Sequence, residues 1–169
     1  MRNITLVGFM GTGKTTSGKI LAKRLGYHFI DVDEEIEREQ GVSISHIFSE
    51  LGEAYFRMLE RDFIKALSFR EGLVISAGGG AVIDERNIQS MKLSGVLVCL
   101  TATPDTIMKR VGSSRNRPLL KVPDPLARIK NLMGAREQFY RKSDFTIDTT
   151  AMTPGDVADE IIRLTAGMI

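Results

Sequence analysis

Gly8-Phe9-Met10-Gly11-Thr12-Gly13-Lys14-Thr15-Thr16 decides how the rest of the chain is read. The apolar stretch Ile4 to Val7 runs into it, and a helical pattern begins inside it. Gly8, Gly13, Lys14 and Thr15 stand at the spacing of a phosphate-binding loop, G-x-x-x-x-G-K-[ST]. Each residue type there has a physical reason. A polyphosphate is gripped by bare backbone N–H groups, so glycine clears side chains away and accepts positive φ. The helix that follows points its N-terminal N–H groups and the positive end of its dipole at the same anion. Lys14 brings a mobile positive charge to the β- and γ-phosphates, and the Thr15 hydroxyl is a ligand for Mg²⁺. The bland alternative is a glycine-rich turn between a strand and a helix that binds nothing.

Outward from this loop, the pattern predicts alternating strands and helices. A strand over Asn3–Val7 is followed by a helix from about Lys14 to Leu25, with Ile20, Leu21 and Leu25 on one face and Gly26 as its C-cap. A strand from Tyr27 to Asp31 leads to a charged helix, Glu34 to Gln40, stopped by Gly41. Ser43 reads as the N-cap of a short helix to Glu50, and a longer helix runs from about Gly52-Glu53 to Phe69. Further strands are expected at Leu73–Ser76, Val96–Leu100 and Phe145–Asp148. Helices are expected at about Asp84–Lys92, Pro104–Val111, Leu126–Arg141 and Pro154–Leu164. Such alternation argues a parallel α/β sheet covered on both faces, in three layers. Ligands of open α/β sheets bind beyond the carboxyl ends of the strands. The loop, Asp31 and Asp33, Gly78 to Gly80 and the segment after Leu100 can therefore share one edge.

Gly112 to Pro125 breaks the pattern. Glycine, serines, prolines, Arg115 and Arg117 make it polar, basic and irregular. A loop of this length in a compact domain is functional or disordered. Residues of about 112–124 are expected to form a lid whose closure excludes water and completes a charge clamp.

Length and composition bound the alternatives. The 169 residues suit a single domain with a normal core. Lys+Arg of 23 against Asp+Glu of 21 gives +2, too balanced for general binding to nucleic acid or a membrane surface. The single Cys99, in an apolar run, reads as a buried and inert thiol, as expected in a reducing cytoplasm. No apolar run reaches membrane-spanning length, and no signal peptide is expected. His28 and His46 read as structural or solvated, and the methionines as core filler.

Around the loop, a carboxylate is needed to help hold Mg²⁺. Asp31 and Asp33 are the candidates, pointing to one side if the backbone stays extended. One would serve the metal and the other accept a substrate hydroxyl; the alternative is a helix N-terminus decorated with acids. Arg57 precedes Glu60 by one turn. It is either an ordinary i, i+3 ion pair or a guanidinium that Glu60 holds ready for a carboxylate, and spacing alone does not decide. Gly78-Gly79-Gly80 removes side chains where a strand meets the shared edge, which suggests a close-approaching ligand. Arg136 falls on a later helix, where a solvated arginine is the default.

Taken together these stretches resemble shikimate kinase over nearly the whole chain. The resemblance rests on Gly8 to Thr15, Asp31-Val32-Asp33, Gly52-Glu53 with Phe56-Arg57, Gly78-Gly79-Gly80, Arg117-Pro118-Leu119-Leu120, and Arg136 with Tyr140-Arg141. It implies a P-loop kinase fold with a five-stranded parallel sheet of order 2-3-1-4-5. It implies transfer of phosphate from ATP to the 3-hydroxyl of shikimate, on the path to chorismate and the aromatic amino acids. By position it gives Asp33 the substrate hydroxyls and a role as base in the reaction, within a substrate-binding region of about 32–60. Arg57 and Arg136 take the carboxylate, with Gly78, Gly79 and Gly80 alongside. Gly11, Thr12, Gly13, Lys14, Thr15 and Thr16 cradle the nucleotide phosphates. Lys14 and Arg117 steady the phosphate in transfer. Thr15 ligates Mg²⁺, with Asp31 helping through water, and Arg110 and Pro154 flank the adenine. A cytoplasmic monomer with ATP and shikimate as its partners is expected. Gluconate and nucleotide kinases of the same fold, and a silent nucleotide-binding switch, are the rivals.

Overall fold

The computed structural model of the chain describes residues 2–111 and 122–169. The expected lid lies outside the described residues apart from 122–124, and Arg115 and Arg117 lie outside them with it.

Five strands form the sheet: β1 (Asn3–Val7), β2 (His28–Asp31), β3 (Leu73–Ser76), β4 (Gly95–Thr101) and β5 (Phe145–Asp148). Their order is β2-β3-β1-β4-β5, and every pairing is parallel. The helices are α1 (Lys14–Leu25), α2 (Val32–Gln40), α3 (Ile44–Glu50), α4 (Glu53–Leu67), α5 (Glu85–Ser94), α6 (Pro104–Val111), α7 (Pro125–Tyr140) and α8 (Pro154–Thr165). A single 3-10 turn, Ala81–Ile83, follows the glycine triplet.

Side chains alternate across a strand, so a sheet covered on both faces favours apolar residues in both directions along its inner strands. Ile4, Leu6, Val74, Val96, Val98 and Leu100 enter one core with Leu21 of α1 and Ile161 of α8. Val7, Leu73, Ile75, Leu97 and Cys99 enter the opposite core with Ile36, Phe56, Ile64 and Met91. A third cluster sits at the carboxyl end of the sheet, where Phe9 of the loop packs with Ile107 and Val111 of α6 and Ile129 of α7. It seats the loop against the two helices beside it. Cys99 is fully buried, and burial pushes its thiol up to about 12, which keeps it inert. His28 and His46 are exposed. Among the described residues no helix is long and apolar enough to cross a membrane.

One sequence expectation needs correction. The helix expected at Glu34 begins at Val32, because the Asp31 side chain caps it by accepting from the backbone N–H groups of Asp33 and Glu34. The backbone therefore is not extended through Asp33. Ile20 and Leu25 pack, half-buried, against the same core as Leu21, and Ser17, Gly18 and Ala22 join Leu21 as the buried residues of α1.

Candidate active site

Most helices here begin on a side chain that accepts from their first free N–H groups: Asp31, Ser43, Asp84, Asp124 and Thr153. α1 begins differently. Its N-cap is Gly13 in the left-handed region at φ 96°, no side chain caps it, and its first turn holds no acid. Its N–H groups and dipole are thus left to an anion. Gly8, at φ 135°, starts the loop where a Cβ would lie 2.1 Å from Leu100 O. Lys14 folds over the turn, its Nζ donating to Gly8 O at 2.8 Å and Phe9 O at 3.1 Å.

Thr15 links the heads of two helices. Its Oγ1 donates to Asp31 Oδ2 at 2.9 Å, while Asp31 Oδ1 caps α2. The two readings of Asp31 are therefore compatible: one oxygen closes a helix and the other faces the phosphate cradle. Asp33 stands just beyond. Burial and the Asp31 charge push its carboxyl up to about 6, against the pull of Lys14 and Arg57. Its Oδ1 is buried with no hydrogen-bond partner among the described residues.

The glycine triplet explains what gathers opposite. A Cβ at Gly78 would meet Asp33 Oδ1 at 3.0 Å and Glu60 Oε1 at 3.1 Å; one at Gly79 would meet Arg136 Nη1 at 3.3 Å. At Gly80 it would lie 2.4 Å from Arg57 Nη2. The close approach expected at these glycines is thus made by the protein's own side chains. Arg57 is held by Glu60 and Glu53, through Nη1 to Glu60 Oε2 at 2.8 Å and Nη2 to Glu53 Oε1 at 3.0 Å. Arg136 lies over the Phe9 ring, 5.9 Å from its centroid, instead of in solvent. Tyr140 donates its hydroxyl to Gly79 O at 2.7 Å and so ties α7 to the triplet.

One cleft of about 1100 Å³ joins these groups. Gly11, Thr12, Gly13, Lys14, Thr15 and Thr16 line it on the loop side. Asp31, Asp33, Arg57, Gly78, Gly79, Gly80 and Arg136 line it on the other, and Arg110 and Pro154 sit at the end beside β5. Sequence reasoning missed Thr149, which lines the cleft one residue after β5. Its place at a strand's carboxyl end was the only signal available.

Comparison with known proteins identifies the family. The family model for shikimate kinase matches residues 10–166. The chain belongs to the shikimate kinase family. Shikimate kinase of Thermodesulfovibrio yellowstonii is 48% identical over 163 residues, which cover 96% of this chain and 94% of that protein. Shikimate kinase of Caldanaerobacter subterraneus subsp. tengcongensis is 45% identical, with 96% and 95% covered. Among solved structures, shikimate kinase from Acinetobacter baumannii in complex with shikimate matches with a TM-score of 0.93 at 38% identity, covering 98% of this chain and 93% of that one. Shikimate kinase membership makes the chain an ATP-dependent kinase, and it separates the chain from gluconate and nucleotide kinases that share only the fold.

Proposed function

We propose that this cleft transfers the γ-phosphate of ATP to the 3-hydroxyl of shikimate, giving shikimate 3-phosphate and ADP. The observation that carries the assignment of residues is the placement of Arg57 and Arg136 against adjacent glycines, Gly79 and Gly80, with Asp33 beside Gly78. Two guanidiniums borne on different helices suit one carboxylate, which they grip as planar forks. An ionised Asp33 next to them suits a hydroxyl. A small hydroxy acid offers both groups.

Positioning and charge neutralisation dominate phosphoryl transfer. The substrate oxygen bonds to the γ-phosphorus as the bond to the β–γ bridging oxygen breaks, and ADP leaves. Asp33, with its carboxyl near 6, is ionised at neutral pH and takes the hydroxyl proton. Lys14 leaves its loop carbonyls to neutralise the transferring group, and α1 holds the nucleotide phosphates at its N-terminus. Arg110 and Pro154 flank the base. Arg117, by resemblance, adds a second charge from a lid over about 112–124, and the substrate is held by residues within about 32–60.

Thr15 Oγ1 and Asp31 Oδ2 fit Mg²⁺, which takes oxygen ligands and retains several waters. Among the described residues no group of three or more His, Cys, Asp or Glu is placed to hold a metal, so most ligands would come from phosphate and water. When bound, the ion neutralises charge on the phosphate oxygens. Every group invoked belongs to one copy of a single-domain chain, which supports action as a monomer. The lone buried Cys99 suits the cytoplasm.

ADP release measured with shikimate, gluconate and nucleoside monophosphates tests the reading. Turnover with shikimate alone is expected. Comparable turnover with gluconate or a nucleotide overturns it.

A further inference from the structure

Thr149 is 1% exposed, and its hydroxyl lies where four parts of the molecule meet. Oγ1 is 3.0 Å from Thr12 O in the phosphate loop and 3.0 Å from Thr101 O at the end of β4. Arg110 Nη1, from the last turn of α6, donates to the same oxygen at 3.0 Å. That nitrogen also reaches Gly11 O at 3.2 Å, and Nη2 donates to Thr149 O at 2.7 Å. A threonine hydroxyl has one proton and two lone pairs. Here the proton serves Thr12 O and Thr101 O, and a lone pair takes the Arg110 N–H.

Both terminal nitrogens of Arg110 are thus directed into the protein. An arginine on the exposed side of a helix end otherwise has many rotamers open to it. Held at Gly11 O, Thr149 Oγ1 and Thr149 O, the guanidinium has a fixed plane. A fixed guanidinium plane is a stacking surface for an aromatic base. The hydroxyl also ties the Gly11–Thr12 turn of the phosphate loop to the carboxyl ends of β4 and β5.

We propose that Thr149 is a positioning residue for the nucleotide: its hydroxyl sets the plane of Arg110 and the height of the Gly11–Thr12 turn, and so controls ATP affinity. This rests on the reading that places the base beside Arg110. Valine has the shape of threonine without the hydroxyl, so Thr149→Val withdraws a donor from Thr12 O and an acceptor from Arg110. Serine keeps both.

The test measures ADP and shikimate binding separately by calorimetry, with KM for ATP and kcat from ADP release. Thr149→Val is expected to weaken ADP binding and raise KM for ATP about tenfold, the loss of one hydrogen bond to a charged group. Shikimate affinity and kcat at saturating ATP should stay within about twofold, as for a lost ground-state interaction. Thr149→Ser should restore nucleotide binding. Placed on Arg110→Ala, the valine change should add little, because the two residues act together. If valine prevents folding, Thr149→Ala repeats the comparison against serine. Equal weakening of shikimate and ADP, or serine behaving as valine does, overturns the proposal. Wild-type ADP affinity in Thr149→Val beside a weakened Arg110→Ala overturns the proposal alone. Wild-type ADP affinity in Arg110→Ala overturns the placement of the base, and the proposal with it.

Discussion

Arg57 Nη1 donates to Glu60 Oε2 at 2.8 Å across one turn of α4, and the carboxylate it reaches is wholly buried. The other oxygen of Glu60 has no hydrogen-bond partner among the described residues. Across Gly78 stands Asp33, a second carboxylate, half-buried with its Oδ1 covered. Burial, with help from Asp33, pushes Glu60 up to about 7, although Arg57 pulls it down.

Glu60 thereby makes stability depend on pH. The folded chain holds its proton more tightly than the unfolded chain, whose carboxyl titrates near 4.5. The stability from this group is complete below that pH and is lost as pH rises to about 7. Asp33, raised to about 6, acts in the same direction from a lower start. Denaturant unfolding should show Glu60→Gln gaining on the wild type by about 1–3 kcal/mol between about pH 5 and pH 8. Parallel curves for the two proteins would show that Glu60 titrates normally.

Gly80→Ala isolates the position of Arg57. Gly80 has φ −97° and ψ −8°, a turn conformation open to alanine and outside the left-handed region that only glycine favours. The new methyl would lie 2.4 Å from Arg57 Nη2 and must displace the guanidinium. KM for shikimate should rise about tenfold or more, as expected when a positioning group moves by about 1 Å, while ATP binding is unchanged. An unaltered KM for shikimate would remove Arg57 from the carboxylate site.

Arg57→Ala and Arg136→Ala should both cost shikimate affinity, by about 2–5 kcal/mol, and spare ATP. They should differ in stability. Arg57→Ala strands buried Glu60 without its cation, whereas Arg136 rests on the Phe9 face and leaves no buried charge behind. Thermal unfolding should therefore fall further for Arg57→Ala. Equal losses of ATP and shikimate binding would refute the assignment of both arginines.

Lys14→Ala should lower kcat by about a hundredfold or more, as when charge stabilisation of a transition state is removed. Far-ultraviolet circular dichroism should remain that of the wild type. A folded variant with near-normal turnover would exclude Lys14 from the transfer step.

Much of this was legible in the sequence because spacing carries it. The loop motif and the alternation of apolar strands with amphipathic helices follow from repeat distances along the chain. The sheet order came through the resemblance and not from the periodicity. Asp31 and Asp33 are legible as carboxylates at a strand end, but the condition of an extended backbone is not met, because a short carboxylate there caps a helix more readily than it lets the strand continue. The triplet Gly78-Gly79-Gly80 announced a close approach without saying by what, since Asp33, Arg57 and Arg136 come from three different helices. Thr149 was out of reach for the same reason. Its partners Thr12, Thr101 and Arg110 are distant in the chain, and a threonine after a strand has no distinguishing pattern.

Gly8 and Gly80 divide what a tolerance map of this chain would mean. A side chain at position 8 would strike the carbonyl of Leu100 at 2.1 Å, so the inner strands would have to part before any phosphate is involved. A side chain at position 80 first meets the tip of an arginine. The two glycines thus answer to different demands, one the close approach of neighbouring strand ends and the other the seating of a guanidinium. An inactive Gly8 variant consequently reports on assembly of the protein, whereas a loss at Gly80 reads as chemistry once the stability carried by the Arg57–Glu60 pair has been measured beside it.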